Sequence, residues 1–262
     1  MGYGWRVVSA MALRRSAAAI SAHRGGGETA PEGTYEGFRA ALETGAEYIE
    51  FDIRRTADAQ LVVYHDPAIG NGRMLATMGY ATLCELAGYE VPRVAEVMHM
   101  ITGKATGHLD LKEVGDEDVI IEQALEVLGP GNFVATTLED ASVAAIKQRF
   151  PAAPVALSLG RDLSGPWLTR LSARRHDLYP GDRIRACGAD WAAINHRLAV
   201  FGVLRQCHRL GIKTMIWTVN TDAAISRWLA DPRVDVVVTD CPRRAVELRD
   251  RLRVGETGGS DT

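Results

Sequence analysis

Short β-branched or apolar runs alternate with longer stretches of helical periodicity along almost the whole chain. The strand-like runs fall at 17–23, 47–54, 107–112, 132–137, 154–159, 191–195, 213–219 and 234–239, and helical patterns follow, among them 34–44, 117–128, 140–149, 199–210, 222–230 and 242–251. Eight βα units in tandem predict a parallel sheet of the α/β class. At 262 residues they predict a closed (β/α)8 barrel, a TIM barrel, with the helix after the eighth strand completing the ring. An open doubly wound sheet would carry a GxGxxG loop after its first strand, and Gly25-Gly26-Gly27 does not fit that spacing.

The span 56–101 breaks the alternation. An extra strand-like run at 61–64 ends in His65-Asp66, and a short excursion over 66–93 intervenes before the second barrel helix at 94–100. This predicts a small insertion between strand 2 and helix 2, at the barrel mouth. The expected organisation is an N-terminal extension over 1–16, the barrel over 17–252, and a small polar disordered tail over 253–262.

Composition narrows the function classes. Hydrophobic residues make up 47% and charged residues 24%, the balance of a globular domain with a sizeable core. A net charge of -3 offers no basic surface to release counterions from a nucleic-acid backbone, so no nucleic-acid partner is expected. The apolar stretch at 7–22 is broken by Arg14 and Arg15, and no run approaches the ~20 apolar residues of a membrane helix, so stable membrane insertion is not expected. Four cysteines without CxxC or zinc-ligand spacing read as reduced thiols in a cytoplasmic protein.

In such a barrel, chemistry sits on the C-terminal ends of the strands. His23 and Arg24 end strand one, Glu50 and Asp52 end strand two, His65 ends the hairpin, Asp110 and Lys112 end strand three, and Trp217 to Asn220 ends strand seven. Residues two apart on a strand share a face, so Glu50 projects with Asp52, and Asp110 with Lys112. A lone Glu-x-Asp is ordinarily a solvated strand edge, and Asp-x-Lys a rim salt bridge. Here polar residues recur at strand ends, which a solvated edge does not explain. Hard carboxylates such as Glu50, Asp52 and Asp110 select Mg2+ or Ca2+ over zinc. Two histidines near neutral pKa, His23 and His65, suit a shared acid and base role. The other histidines, His108 among them, read as structural or solvated, with His196 at the end of strand six held in reserve. Asp240 reads as a cap for the last helix.

HRGGGETAPEGT from His23 and AEYIEFDIRRTADAQLVVYHD from Ala46 together resemble the glycerophosphodiester phosphodiesterase family, whose pattern is HRG, PENT, ExD and HD; WTVN, 217–220, is similar to its strand-seven ending. The resemblance implies a metal-dependent phosphodiesterase that releases glycerol 3-phosphate and an alcohol from a glycerophosphodiester, with a lysophospholipid as the other small-molecule substrate to consider. It makes His23 and His65 the catalytic acid and base, and Glu50, Asp52 and Asp110 the ligands of a divalent cation. Arg24 and Lys112 then hold phosphate, and Trp217 flanks the glycerol or head group. Three positions depart from the pattern: Gly33 replaces the asparagine of PENT, Ala59 the glycine of a DG turn, and Asp110 the usual glutamate. Asp-x-Lys instead resembles the lysophospholipase D and sphingomyelinase D branch, which forms cyclic phosphate. A catalytically impaired barrel acting as a binding protein is the remaining alternative.

Overall fold

The computed structural model describes residues 17–257 apart from 29, 71 and 161–177, with side chains to 253. The expected extension over 1–16 and most of the loop after the fifth barrel strand lie outside the described residues.

Eight parallel strands close on themselves: β1 (Ala19–Ala22), β2 (Tyr48–Arg55), β6 (Thr106–Leu111), β7 (Phe133–Thr137), β8 (Val155–Leu159), β9 (Trp191–Asn195), β10 (Lys213–Trp217) and β11 (Val236–Thr239). β1 pairs with both β11 and β2, which makes the sheet a barrel without edges. Between the strands run α1 (Tyr35–Leu42), α3 (Val94–Ile101), α4 (Glu117–Val127), α5 (Asp140–Arg149), α6 (Gly181–Cys187), α7 (Leu204–Arg209) and α8 (Asp222–Leu229), and α9 (Pro242–Thr257) follows the last strand. α9 continues past the boundary expected at 252, so part of the expected tail is helical. No helix among the described residues is long and apolar enough to cross a membrane.

Strand alternation sorts side chains into two cores. Ile49, Phe51 and Ile53 of β2, with Leu109 and Leu111 of β6, point outward and pack under the helices. Phe51 meets Phe38 of α1 edge to face, centroids 6.1 Å apart. Val134, Ala156, Trp191, Met215 and Val236 point inward and plug the lower barrel. Above this plug the inward positions turn polar.

The insertion contains β3 (Leu61–Val63), antiparallel to the end of β2, the short pair β4 (Ala68–Ile69) and β5 (Arg73–Met74), and α2 (Tyr80–Ala87). It has its own small core of Val62, Ile69, Leu75, Met78, Leu83 and Val91. That packing is what holds the strand end carrying His65 over the mouth.

Two departures from the family pattern have a backbone explanation. Gly33 sits at φ +67, a left-handed position that glycine and asparagine both enter readily, and Thr34 after it caps α1 by accepting the Gly37 N–H at 3.0 Å. The motif therefore keeps its turn and its cap. Ala59 is also left-handed, at φ 61, where a Cβ is strained and glycine is not.

Candidate active site

β1 leads into a single turn, His23–Gly25, in which Arg24 takes the left-handed conformation at φ 51 and ψ 31. A non-glycine residue there costs about 1–2 kcal/mol. The turn is held because the Arg24 N–H donates to Glu50 Oε2 at 2.7 Å, tying the end of β1 to the inner face of β2.

This turn delivers His23 to the barrel axis, where Asp240 Oδ1 lies 2.5 Å from its Nδ1. Asn220 donates from Nδ2 to Asp240 Oδ2 at 2.5 Å and accepts the Asp240 N–H at 3.0 Å. Three neighbouring strand ends are thereby joined. The expectation that Asp240 caps the last helix is corrected: Glu28, from the loop after β1, accepts the N–H groups of Arg243 and Arg244 at 2.8 and 3.2 Å. Asp240 is two steps beyond Val238, whose side chain faces the barrel interior, and alternation turns its carboxylate inward as well.

Asp52 and Asp110 are direct partners in the β2–β6 register, and with Glu50 they bring one oxygen each within 4.8 Å of one another. The shorter aspartate at 110 still reaches the group. Glu50 and Asp52 are 3% and 2% exposed. Burial, reinforced by Asp52 and Asp110, pushes the Glu50 carboxyl up to about 8. Lys112 Nζ sits 2.8 Å from Asp52 Oδ1 and also bonds Asp110 Oδ2. Burial opposes the charge on Lys112, but Asp110, Asp52 and Glu50 outweigh it and hold its pKa above the ordinary range. For Asp110 burial is likewise outweighed, by Lys112 and by Thr136, whose Oγ1 donates to it at 2.7 Å, so its pKa falls below the usual carboxylate range. Arg24 Nε lies 3.1 Å from Asp52 Oδ2, and its Nη1 bonds Glu32 at 3.0 Å.

Asp52 Oδ1 is buried without a well-aligned hydrogen bond, despite the nearby ammonium. Three clustered carboxylates, one of them driven toward neutrality by burial and then by the others, and one with an unsatisfied oxygen, are the electrostatic setting a hard divalent cation relieves. The donor set fits such an ion.

His65 reaches the same cavity from the insertion. Its Nδ1 is 2.7 Å from Asp66 Oδ1, and Arg54 Nε donates to its carbonyl at 2.8 Å. Burial disfavours the charged form of His23, but Glu50 and Asp240 outweigh it and raise its pKa. The residues expected at the site line one cavity, namely His23, Arg24, Glu50, His65, Asp110, Lys112 and Trp217, with Asp52 contributing from the carboxylate cluster beside it. His108, read as structural or solvated, also lines it. It is buried, and desolvation takes its pKa down to about 4. His196 is not among the lining residues. Period two was the signal that reaches His108, two positions before Asp110.

Residues 23–244 match the profile of the glycerophosphoryl diester phosphodiesterase family. The chain belongs to this family. It is accordingly a phosphoric diester hydrolase. A glycerophosphodiester phosphodiesterase of Caldanaerobacter subterraneus subsp. tengcongensis is 25% identical over 255 residues, covering 87% of this chain and 96% of that protein. The crystal structure of a glycerophosphodiester phosphodiesterase from Parabacteroides distasonis superposes with a TM-score of 0.75 at 19% identity, over 91% of this chain and 99% of that one. A phosphodiesterase of Oleispira antarctica, solved in complex with the product sn-glycerol-3-phosphate, superposes with a TM-score of 0.69 at 19% identity, over 89% and 97%. The family profile begins at His23 and includes every residue of the site described above.

Proposed function

We propose that the protein hydrolyses glycerophosphodiesters to sn-glycerol 3-phosphate and an alcohol, using a divalent cation, Mg2+ or Ca2+, held by Glu50, Asp52 and Asp110. The observation that carries this reading is the convergence of two histidines, three carboxylates and two cationic side chains on one cavity. The cation, when bound, supplies charge neutralisation for the nonbridging phosphate oxygens. Arg24 offers phosphate a planar fork and Lys112 a compact point charge.

His23 and His65 share the proton work. Each has a carboxylate on Nδ1, from Asp240 and Asp66 respectively, which leaves Nε2 for the reacting groups. One accepts the proton of the attacking oxygen as the new P–O bond forms, that oxygen being water or, in a first step that water then completes by opening the cyclic phosphate, the substrate's own vicinal hydroxyl. The other donates a proton to the departing alkoxide as the old P–O bond breaks. Trp217 flanks the organic part of the substrate. The four unpaired cysteines support a cytoplasmic setting.

Release of glycerol 3-phosphate from glycerophosphocholine, measured with EDTA, Mg2+ or Ca2+, tests the reading. Cation-dependent turnover is expected, lost in His23→Ala and in His65→Ala with circular dichroism unchanged; full activity of either variant sinks the acid–base assignment. Asp110 in an Asp-x-Lys setting favours one second reading, a lysophospholipase D-like reaction, which the formation of cyclic phosphate from lysophosphatidylcholine would reveal. A wild-type protein silent on both substrates would point to a binding barrel.

A further inference from the structure

β6 and the residue after it send three side chains inward at successive steps of two: Lys112 nearest the mouth, Asp110 below it, and His108 one step deeper, level with Glu50 in the β2–β6 register. His108 is 4% exposed, yet its ring lines the cavity. Ser21 of β1 stands behind the ring with Oγ 3.0 Å from Nδ1. Among the described residues Nε2 has no hydrogen-bond partner. His108 lines the cavity, so this nitrogen is free to bond a partner that enters it.

The chemistry of that partner follows from the surroundings. A serine hydroxyl both donates and accepts, so Ser21 can satisfy Nδ1 in either tautomer and leave Nε2 as acceptor or donor. A ligand hydroxyl has the same two-way capacity. The wall formed by Thr136, Ser158, Ala193 and Val238 is uncharged, and the plug below is apolar. Glu50 is level with His108 but belongs to the carboxylate cluster assigned to the cation, and the wall itself offers no charge to pair with an ammonium or a carboxylate of a head group. A neutral, hydroxyl-bearing moiety suits the depth of the cavity, and the variable alcohol is left toward the mouth.

We propose that His108 is a specificity-determining residue, which reads the terminal hydroxyl of the substrate's glycerol moiety through Nε2 and is oriented for this by Ser21. The inference rests on the glycerophosphodiester reading above.

The test compares kcat/KM of the full-length, cation-loaded protein for glycerophosphocholine and for the matching diester of propane-1,2-diol, which keeps the vicinal hydroxyl and lacks only the terminal one. The wild type is expected to prefer the glycerol diester by about tenfold or more, since a site built to bond a hydroxyl rejects the analogue without it. His108→Ala should shrink that ratio to about 2 or less by lowering activity on the glycerol diester, and His108→Gln should restore part of it. A ratio unchanged in His108→Ala overturns the inference. Calorimetry on the wild type with sn-glycerol 3-phosphate and propane-1,2-diol 1-phosphate needs no variant: equal affinities overturn the inference, and a clear preference for the first supports it. A wild type active on neither diester, with neither product bound, would instead overturn the glycerophosphodiester reading itself.

Discussion

Asp240 and His23 stand 217 positions apart in the chain and 2.5 Å apart in the barrel. The contact exists because the first and last strands pair, Ala22 beside Thr239, and their next inward side chains face each other across the closure. Asp240→Asn keeps the shape and removes the charge. On the proposed role of His23, kcat should fall by about 10²-fold or more, with KM and thermal stability little changed. Steady-state kinetics beside a melting curve would check this; an unaltered kcat would mean that His23 needs no carboxylate.

Glu50 links cation binding to pH. Its carboxyl is pushed to about 8 in the metal-free protein, against 4.5 ordinarily. A folded-state pKa above the unfolded value means that this group's stabilising contribution is present at low pH and lost as pH rises through about 8. The metal-free protein should therefore lose melting temperature over this window, and Glu50→Gln should flatten the loss. Cation binding needs the carboxylate, so affinity should rise with pH over the same window and binding should release a proton. Calorimetry in buffers of different ionisation enthalpy reads that proton directly.

Asp110→Glu restores the residue type usual in the family. Here the aspartate already reaches the carboxylate cluster while bonding Thr136 and Lys112. One more methylene displaces the carboxylate from both partners. We expect kcat/KM to drop by about tenfold, the scale seen when the support of a metal ligand is disturbed. A large gain would show instead that the native site is compromised.

Two small substitutions probe the backbone with opposite signs. Ala59→Gly relieves a left-handed alanine, at φ 61, and should stabilise by about 0.5–1 kcal/mol after the extra flexibility of glycine is counted. Gly26→Ala puts a Cβ 2.7 Å from the Pro242 ring at φ +76, where the last helix begins, and should destabilise by about 1–3 kcal/mol. Denaturant melts would check both, and a stabilised Gly26→Ala would contradict the packing described.

Much of this site could be read before folding. The strand-like run at 191–195 coincides with β9, and the others lie within two residues of the observed ends. Period two pairs Glu50 with Asp52 and Asp110 with Lys112 on shared faces, and the barrel turns those faces inward. The same rule reaches His108, but a histidine in the middle of a strand carries no mark of whether its face meets an apolar plug or a cavity. Asp240 was misread because an aspartate just before a helix is a common cap, whereas Glu28 fills that place here.

Local order in this chain is written in local terms. Alternating apolar positions, the Thr34 cap and the left-handed Gly33 act over a few residues, and they suffice to define strands, turns and inward faces. The partners of the site come from elsewhere in the chain. Lys112 lies between Asp52 and Asp110, Ser21 behind His108, and Asp240 on His23, only because closing eight strands brings distant positions into one interior. Those contacts depend on register and on burial shared between strands, quantities that no single segment encodes.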